Sequence, residues 1–208
     1  MTEPRWLQWA KELQSIAQAG LAYPSGNHFD AERYARVREI AAEIIASAGH
    51  VEKDIILELF RRESGYATPK VDVRGVVFRG GEILLVKERE DGRWTLPGGW
   101  ADVNQTPREV VAREVKEESG YEVEPVKLLA VYDRSKQGHQ PAYPFHVYKL
   151  FIGCEITGGA AAESAETSEV SFFAEDNLPE LSASRVTERQ IRRMFEYSRL
   201  PALAADFD

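Results

Sequence analysis

Residues 106–120 have the most clearly marked ends of any segment in this sequence. Thr106 and Pro107 predict a helix start, because threonine caps free backbone N–H groups and proline fits the first helical position. Glu109, three residues after the threonine, completes a capping box. Gly120 predicts the end, because glycine readily takes the left-handed conformation that closes many helices. The middle of the chain is therefore expected to form one well-bounded helix.

Three glutamates share one face of this predicted helix. Their spacing of three and four residues places Glu117 and Glu118 on either side of Glu114. Such like-charge neighbours repel, and Arg113, four residues before Glu117, offsets only part of that repulsion. A hard divalent cation would offset the rest, because magnesium prefers oxygen ligands and commonly pairs with substrate phosphates. The helix pattern alone leaves a second interpretation open, a charged face in solvent.

The sequence around this helix alternates in the manner of β-strands. VDVRGVVF (71–78) and EILLVKER (82–89) are separated by a glycine turn, which predicts a hairpin. Three further strands are predicted, at 126–132, 145–154 and 169–173. TGGAAAESAET (157–167) is predicted to be a loop, and a closing helix is predicted within 182–198. Mixed strands around one central helix predict an α+β sandwich.

The first 65 residues or so follow a helical period instead. Apolar residues three and four apart predict three helices, at 4–19, 30–48 and 51–63. Gly20 is expected to stop the first helix, and Asp30 is expected to cap the second. Pro24 and Gly26 predict a turn between them.

Length and composition are those of a soluble globular protein with two domains, which we place at residues 1–66 and 67–208. No stretch approaches the ~20 apolar residues of a membrane span. Cys154 is the single cysteine, so no intrachain disulfide is possible, and no secretory signal pattern is present. We therefore expect a cytoplasmic protein with no membrane-bound part. The net charge of −8 argues against broad binding to a nucleic-acid backbone.

The region around the predicted helix resembles the Nudix box, whose pattern is G-x5-E-x7-R-E-U-x-E-E-x-G-U with U a bulky apolar residue. The matching residues are Gly99, Arg113, Glu114, Val115, Glu117, Glu118 and Gly120, with Tyr121 at the last apolar position. WTLPGG (94–99) also resembles the usual lead-in. One position departs from the pattern, because Gln105 stands where the first glutamate is expected. The resemblance covers roughly residues 68–208 and implies a Nudix-type α/β/α sandwich with a mixed sheet, preceded by a small helical domain.

The resemblance also implies a set of roles. Glu114, Glu117 and Glu118 would bind Mg2+ or Mn2+ together with the carbonyl of Gly98, and Glu114 would orient or deprotonate the attacking water. Arg113 would hold the glutamates in place. Phosphoanhydride hydrolysis needs charge neutralisation, an activated water and alignment, which metal ions can supply.

Many family members recruit a further acidic residue from a late loop. Glu166 and Glu169 are the candidates here, and we prefer Glu169, with an acidic surface loop as the alternative for both.

The helical N-terminal unit resembles that of a bacterial subgroup of CDP-choline pyrophosphatases, whose relatives are often named ADP-ribose pyrophosphatases. This resemblance implies hydrolysis of CDP-choline to CMP and phosphocholine. The alternatives are ADP-ribose as substrate, or a nucleotide-sensing protein without turnover, which Gln105 favours and the intact glutamates oppose. RNA is a further candidate, as a secondary substrate only. We also expect a homodimer formed through the helical unit, since its apolar faces need a partner surface.

Three residues are predicted to contact the substrate: Trp100, Arg89 and His146. An aromatic ring face such as that of Trp100 holds a quaternary ammonium group. Arg89 at a strand end would meet the diphosphate, and His146 would meet phosphate or base. The alternative for each is structural: core packing for the tryptophan, a solvated charge for the arginine and a packing role for the histidine.

Overall fold

The computed structural model describes residues 3–23 and 28–208. These described residues divide into two compact units. One contains the described residues up to Pro69 together with Tyr143–His146, and the other contains Lys70–Ala142 and Val147–Asp208. Within this described part, none of the helices is both long enough and apolar enough to cross a membrane.

The helical unit contains, among its described residues, three helices: α1 (Arg5–Ala22), α2 (His28–Gly49) and α3 (Lys53–Arg61). Its buried apolar core is formed by side chains from all three, Leu7, Ala10, Ala41, Ala42, Ile45, Ile56, Leu57 and Phe60. The alanines at these contacts allow two helix backbones to approach closely. The apolar period of the sequence therefore predicts these helices correctly.

Gly20 does not end α1, as the sequence suggested, because the helix continues to Ala22. Its missing side chain serves packing instead. A Cβ atom at this position would lie 2.5 Å from the ring of Tyr34 on α2. The glycine is therefore required by the contact between two helices, which the local sequence does not reveal.

The start of α2 also differs from expectation. The helix begins at His28, so Asp30 lies in its first turn and is not the N-cap. An acidic residue in the first turn still suits the positive end of the helix dipole. The predicted turn at Pro24 and Gly26 lies outside the described residues.

The second unit is built on a mixed sheet, which has seven strands in the described part of the chain: β1 (Lys70–Arg79), β2 (Glu82–Glu88), β3 (Trp94–Thr95), β4 (Tyr121–Asp133), β5 (Val147–Gly159), β6 (Thr167–Phe173) and β7 (Asp206–Phe207). The strand order is β3-β2-β1-β5-β4-β7, and β6 pairs with β2. β1 runs parallel to β5, and β4 runs parallel to β7. The hairpin pair β1 and β2 is antiparallel, as predicted.

Helices cover both faces of this sheet. On one face α4 (Pro107–Ser119) packs through its valines against Val73, Val77 and Leu84. On the other face α5 (Glu188–Arg199) packs against a core that includes Val76, Ile83 and Leu85. Successive strand residues point to opposite faces, so each strand serves both cores. The predicted α/β/α sandwich is confirmed.

The helix at the centre of the sequence prediction is confirmed in detail. Thr106 caps α4, its hydroxyl accepts from the Glu109 N–H, and the Glu109 carboxylate accepts from the Thr106 N–H. Gly120 closes the helix with a φ of 77°. These local signals agree with the tertiary fold, because both helix ends are satisfied by neighbours in sequence.

Several strand boundaries were predicted wrongly. β4 begins at Tyr121, directly after the helix, whereas the sequence suggested 126. β5 extends to Gly159, so the loop before β6 is shorter than the predicted 157–167. The two-residue strands β3 and β7 were not predicted, because two residues are too few to show an alternating pattern.

Candidate active site

The candidate site is organised around a hydrogen bond between the Gly98 loop and the glutamate helix. The N–H of Gly98 donates to Oε2 of Glu118 at 2.8 Å. Gly98 has a φ of 142°, and a Cβ atom there would lie 2.0 Å from the carbonyl oxygen of Val73. Only glycine fits this position, so the loop that follows β3 can press against β1 and reach Glu118. The resemblance implied that the carbonyl of Gly98 binds the metal. The N–H of the same residue holds the carboxylate of Glu118.

Glu114 lies against the next glycine of the same loop. A Cβ atom on Gly99 would lie 3.0 Å from a carboxylate oxygen of Glu114. The Glu114 side chain is only 13% exposed, whereas that of Glu117 is 59% exposed. The two adjacent glycines thus bring bare backbone against both Glu118 and Glu114, and Glu117 remains at the solvent-facing edge.

Arg113 joins the glutamates to the preceding loop. Its Nη1 lies 3.0 Å from carboxylate oxygens of both Glu114 and Glu117. Its Nη2 donates to Asp102 at 3.2 Å, and its Nε donates to Oε1 of Gln105 at 3.3 Å. The predicted role of Arg113, holding the glutamates, agrees with these contacts.

The electrostatics of the site favour an added positive charge. Burial is the main cause of a pKa of about 8 for Glu118; the charges of Glu88 and Glu114 act in the same direction, and Arg74 and the Gly98 N–H act against it. Burial also raises the pKa of Glu114, and of Glu88. A carboxylate whose ionised form is disfavoured by burial and by its neighbours gains most from a cation.

Glu88, at the end of β2, was not singled out by the sequence analysis. It is buried, and its Oε1 lies 3.0 Å from Nε of Arg185, in the segment before α5. A charged residue that continues an otherwise buried strand, EILLVKE, is the signal that points to it. Buried charges of this kind are paired or take part in a site.

The late acidic candidates occupy different surroundings. Glu169 lies on β6, where its carboxylate pairs with Nζ of Lys87 at 2.7 Å. Glu166 lies just before β6, and its charge acts on both Glu114 and Glu88. The charge of Glu166 therefore acts on the buried glutamates, whereas Glu169 has an ion-pair partner on the neighbouring strand.

Arg89, predicted to meet the diphosphate, contacts the loop that carries Glu166. Its guanidinium donates to the Ser164 carbonyl at 3.1 Å and to Glu163 at 3.0 Å, and its backbone N–H donates to the Glu166 carbonyl at 2.9 Å. This arrangement ties the loop to the end of β2. Arg89 therefore has a structural partner, whatever its relation to substrate.

The two other predicted substrate residues lie in different units. Trp100 follows the glycine loop in the strand-rich unit, forms an isolated bridge with Asp72 and is 48% exposed. His146 is exposed and belongs to the segment that groups with the helical unit.

A second charged cluster lies within the sheet, at Asp72, Arg74 and Lys149. Arg74 donates to both carboxylate oxygens of Asp72, at 2.9 and 2.7 Å, and Lys149 donates to Oδ1 at 2.6 Å. Burial raises the pKa of Asp72, but Arg74 and Lys149 outweigh it and hold the pKa at about 2. Arg74 also donates to the Leu96 carbonyl, so this cluster positions the strand that leads into the glycine loop.

Divalent cations fit the donors of the candidate site. Its side chains are carboxylates, the oxygen donors that magnesium and manganese prefer. Among the described residues, no three acidic, histidine or cysteine side chains are grouped closely enough to hold a metal by themselves. Magnesium does not need such a group, because it keeps several waters and binds through one or two carboxylates plus substrate phosphates.

Comparison with known proteins places this geometry in a family. Residues 68–195 match the sequence profile of the NUDIX domain, and residues 4–60 match a profile described as a UDP-X-like, N-terminal oligomerisation domain. The chain belongs to the Nudix family. The first match covers more than half of the chain and includes α4 and both site glycines. A Nudix chain of this type is a pyrophosphohydrolase.

Two of the similar Nudix proteins cover all or nearly all of the chain, and a third covers about two thirds of it. The protein named "Putative ADP-ribose pyrophosphatase YjhB" from Bacillus subtilis (strain 168) is 44% identical over 206 residues, 99% of this chain and 98% of its own length. A crystal structure of a UDP-X diphosphatase is 29% identical, covers 100% of both chains and has a TM-score of 0.63. A structure of an ADP-ribose pyrophosphatase from Streptococcus suis 89-1591 is 39% identical, covers 68% of this chain and 100% of its own, and has a TM-score of 0.62.

Proposed function

We propose that this Nudix pyrophosphohydrolase cleaves the diphosphate of a nucleoside diphosphate linked to a small group, with ADP-ribose as the first candidate. The observation that carries the proposal is the contact of Gly98 and Gly99 with Glu118 and Glu114, which unites the two halves of the family signature in space. The full-length relative named for ADP-ribose supports this substrate. CDP-choline, the expectation from sequence, is the second candidate, since the half-exposed ring of Trp100 beside the site suits a quaternary ammonium group.

Each residue has a role in the proposed reaction. Mg2+ or Mn2+ held by one or two of the carboxylates of Glu114, Glu117 and Glu118, together with substrate phosphates, would neutralise phosphate charge and lower the pKa of water. Glu114, held between Gly99 and Arg113, is positioned to orient the attacking water. Arg113 restrains Glu114 and Glu117 and so limits their reorganisation.

We favour Glu166 over Glu169 as the late acidic residue. The charge of Glu166 acts on Glu114, whereas Glu169 is committed to Lys87. In this proposal Arg89 contributes indirectly, because it fixes the loop that carries Glu166.

The helical unit is proposed to form a homodimer. Trp9, Ile16 and Tyr23 are each at least half exposed and lie seven residues apart along α1 and its end. Such a stripe is typical of a helix that packs against another chain. The matching family profile is also described as an oligomerisation domain. Sedimentation of the full chain at micromolar concentration is expected to show a dimer, and a stable monomer would contradict the proposal.

A substrate panel tests the proposed reaction. ADP-ribose, CDP-choline, a UDP-linked sugar and a short RNA are incubated with the protein, with magnesium or with EDTA, and products are treated with phosphatase to release phosphate. Magnesium-dependent turnover, fastest for ADP-ribose, is expected. Fastest turnover of CDP-choline would select the second candidate. Tight nucleotide binding without turnover of any compound would instead indicate a sensing protein.

A further inference from the structure

The end of β2 brings a further carboxylate, Glu88, to the glutamate helix. Glu88 is paired in register with Thr167, the first residue of β6. The Thr167 hydroxyl is buried and donates to the backbone carbonyl of Glu118 at 2.6 Å. Thr167 therefore joins the strand that carries Glu88 to the helix that carries Glu118. The charges of these two glutamates act on each other, which agrees with this arrangement.

The arginines around these carboxylates are already shared with other acceptors. Arg74 forms its bidentate pair with Asp72 and also donates to Leu96. Arg113 is divided between Glu114, Glu117 and Asp102.

Glu88 has one close cationic partner, Arg185, among the ion pairs of the described residues. The buried carboxylates Glu88, Glu114 and Glu118 therefore gain from a bound cation, which stabilises their ionised forms.

We propose that Glu88 is a further carboxylate of the cation site and that Arg185 competes with the cation for it. The inference rests on the proposed function, because the cation site itself is that of Glu114 and Glu118. Glu88 adds a negative charge at a buried position, where Coulomb interactions are weakly screened. Arg185 opposes that charge from 3.0 Å.

The alternative is that the Glu88–Arg185 pair only anchors the segment before α5. Arg185 has other acceptors for that purpose, because its guanidinium also pairs with Glu90 and Asp91 and donates to the Ser182 hydroxyl at 3.2 Å. Glu90 therefore offers a matched control. It shares the arginine with Glu88, but its side chain is 78% exposed.

Mn2+ binding to the full chain, measured by electron paramagnetic resonance, separates the two roles. Glu88→Gln is expected to weaken Mn2+ affinity about tenfold or more, the usual effect of a residue in or just outside a metal site. Glu90→Gln is expected to change it less than about twofold. Arg185→Gln is expected to tighten binding, because it removes the competing cation. Equal affinity of Glu88→Gln and wild type would overturn the proposal, as would weaker binding by Arg185→Gln.

Thermal unfolding gives a second readout, in which Arg185→Gln should lower the Tm without metal but enlarge the rise in Tm on adding Mn2+. Arg185→Gln leaves Glu88 buried without its cation, so the Tm without metal should fall. The rise in Tm on adding Mn2+ should then exceed that of wild type, because the metal replaces the lost charge and binds the folded state more tightly. An unchanged or smaller rise contradicts the proposal, and this test remains valid if Glu88→Gln does not fold.

Glu118→Gln distinguishes this inference from the proposed function. If Glu118→Gln binds Mn2+ as wild type does, the proposed site is wrong altogether. If Glu118→Gln loses binding while Glu88→Gln keeps it, the site stands and only the role of Glu88 fails.

Discussion

Gln105 accepts a hydrogen bond from Nε of Arg113 at 3.3 Å, so the residue that departs from the family signature still contacts the arginine of that signature. The amide supplies an oxygen acceptor without a charge. Arg113 already has three carboxylate partners in Glu114, Glu117 and Asp102. Gln105 therefore keeps the contact with Arg113. The three carboxylates around Arg113 supply the negative charge that a glutamate at position 105 would have added.

Restoring the signature residue is expected to change little. Gln105 is exposed, so Gln105→Glu should alter the free energy of unfolding by no more than about 0.5 kcal/mol. The value of kcat/KM should stay within about threefold of wild type, because an exposed ion pair with Arg113 is weak. Steady-state kinetics measure this, and a tenfold gain would show that a charge at this position takes part in the reaction.

Glu118→Gln is expected to lower turnover by about a hundredfold or more while the protein remains folded. Glutamine has nearly the same shape and still accepts from the Gly98 N–H, but it cannot take the negative charge with which a carboxylate binds a cation. Glu122→Gln is a suitable control, because Glu122 is exposed and pairs only with Lys116 among the described residues. Near-normal rates for Glu118→Gln, with a native circular dichroism spectrum, would remove Glu118 from the reaction.

Gly98→Ala is expected to destabilise the fold by at least about 3 kcal/mol or to prevent folding. The added Cβ would lie 2.0 Å from the backbone oxygen of Val73, which cannot rotate away as a side-chain atom could. Gly80→Ala is the matched control, because Gly80 also has a positive φ, of 61°, but an added Cβ meets nothing within 4 Å. It should cost about 1–2 kcal/mol, the strain of the left-handed conformation alone. Urea unfolding compares the two, and equal losses would show that the backbone contact is unimportant.

Asp72→Asn is expected to destabilise the fold by about 3–5 kcal/mol near pH 7, because it leaves Arg74 and Lys149 buried without their carboxylate. The folded-state pKa of Asp72, about 2, lies below its ordinary value of 3.8. Its stabilisation is therefore complete above pH 3.8 and is lost as the pH falls through 2. The difference in unfolding free energy between wild type and variant should shrink across that window.

Urea unfolding at several pH values checks the Asp72 prediction. Asp176→Asn, at an exposed position, is the control and should behave as wild type. A difference between wild type and Asp72→Asn that stays constant from pH 4 to pH 2 would show that the ion pairs are not its source.

Local signals determined the parts of the site that lie close together in sequence. Thr106, Glu109 and Gly120 define both ends of α4 without help from the rest of the fold, because caps are made by neighbouring residues. The helical period then places Glu114, Glu117 and Glu118 on one face wherever the helix lies. The strands β1 and β2 followed equally from alternation and a glycine turn.

Only the tertiary structure decided which distant residues join that face. Gly98 and Glu118 are 20 residues apart, and Glu88 meets Thr167 through strand pairing, which depends on the register of the sheet. The local sequence predicted that Gly20 ends a helix, whereas in the structure Gly20 packs against the ring of Tyr34. Burial likewise separates Glu118 from Glu117, although the two are adjacent on the same helix. The sequence period specifies the direction in which a side chain points. Tertiary packing decides which residues surround it, and those surroundings set its charge state.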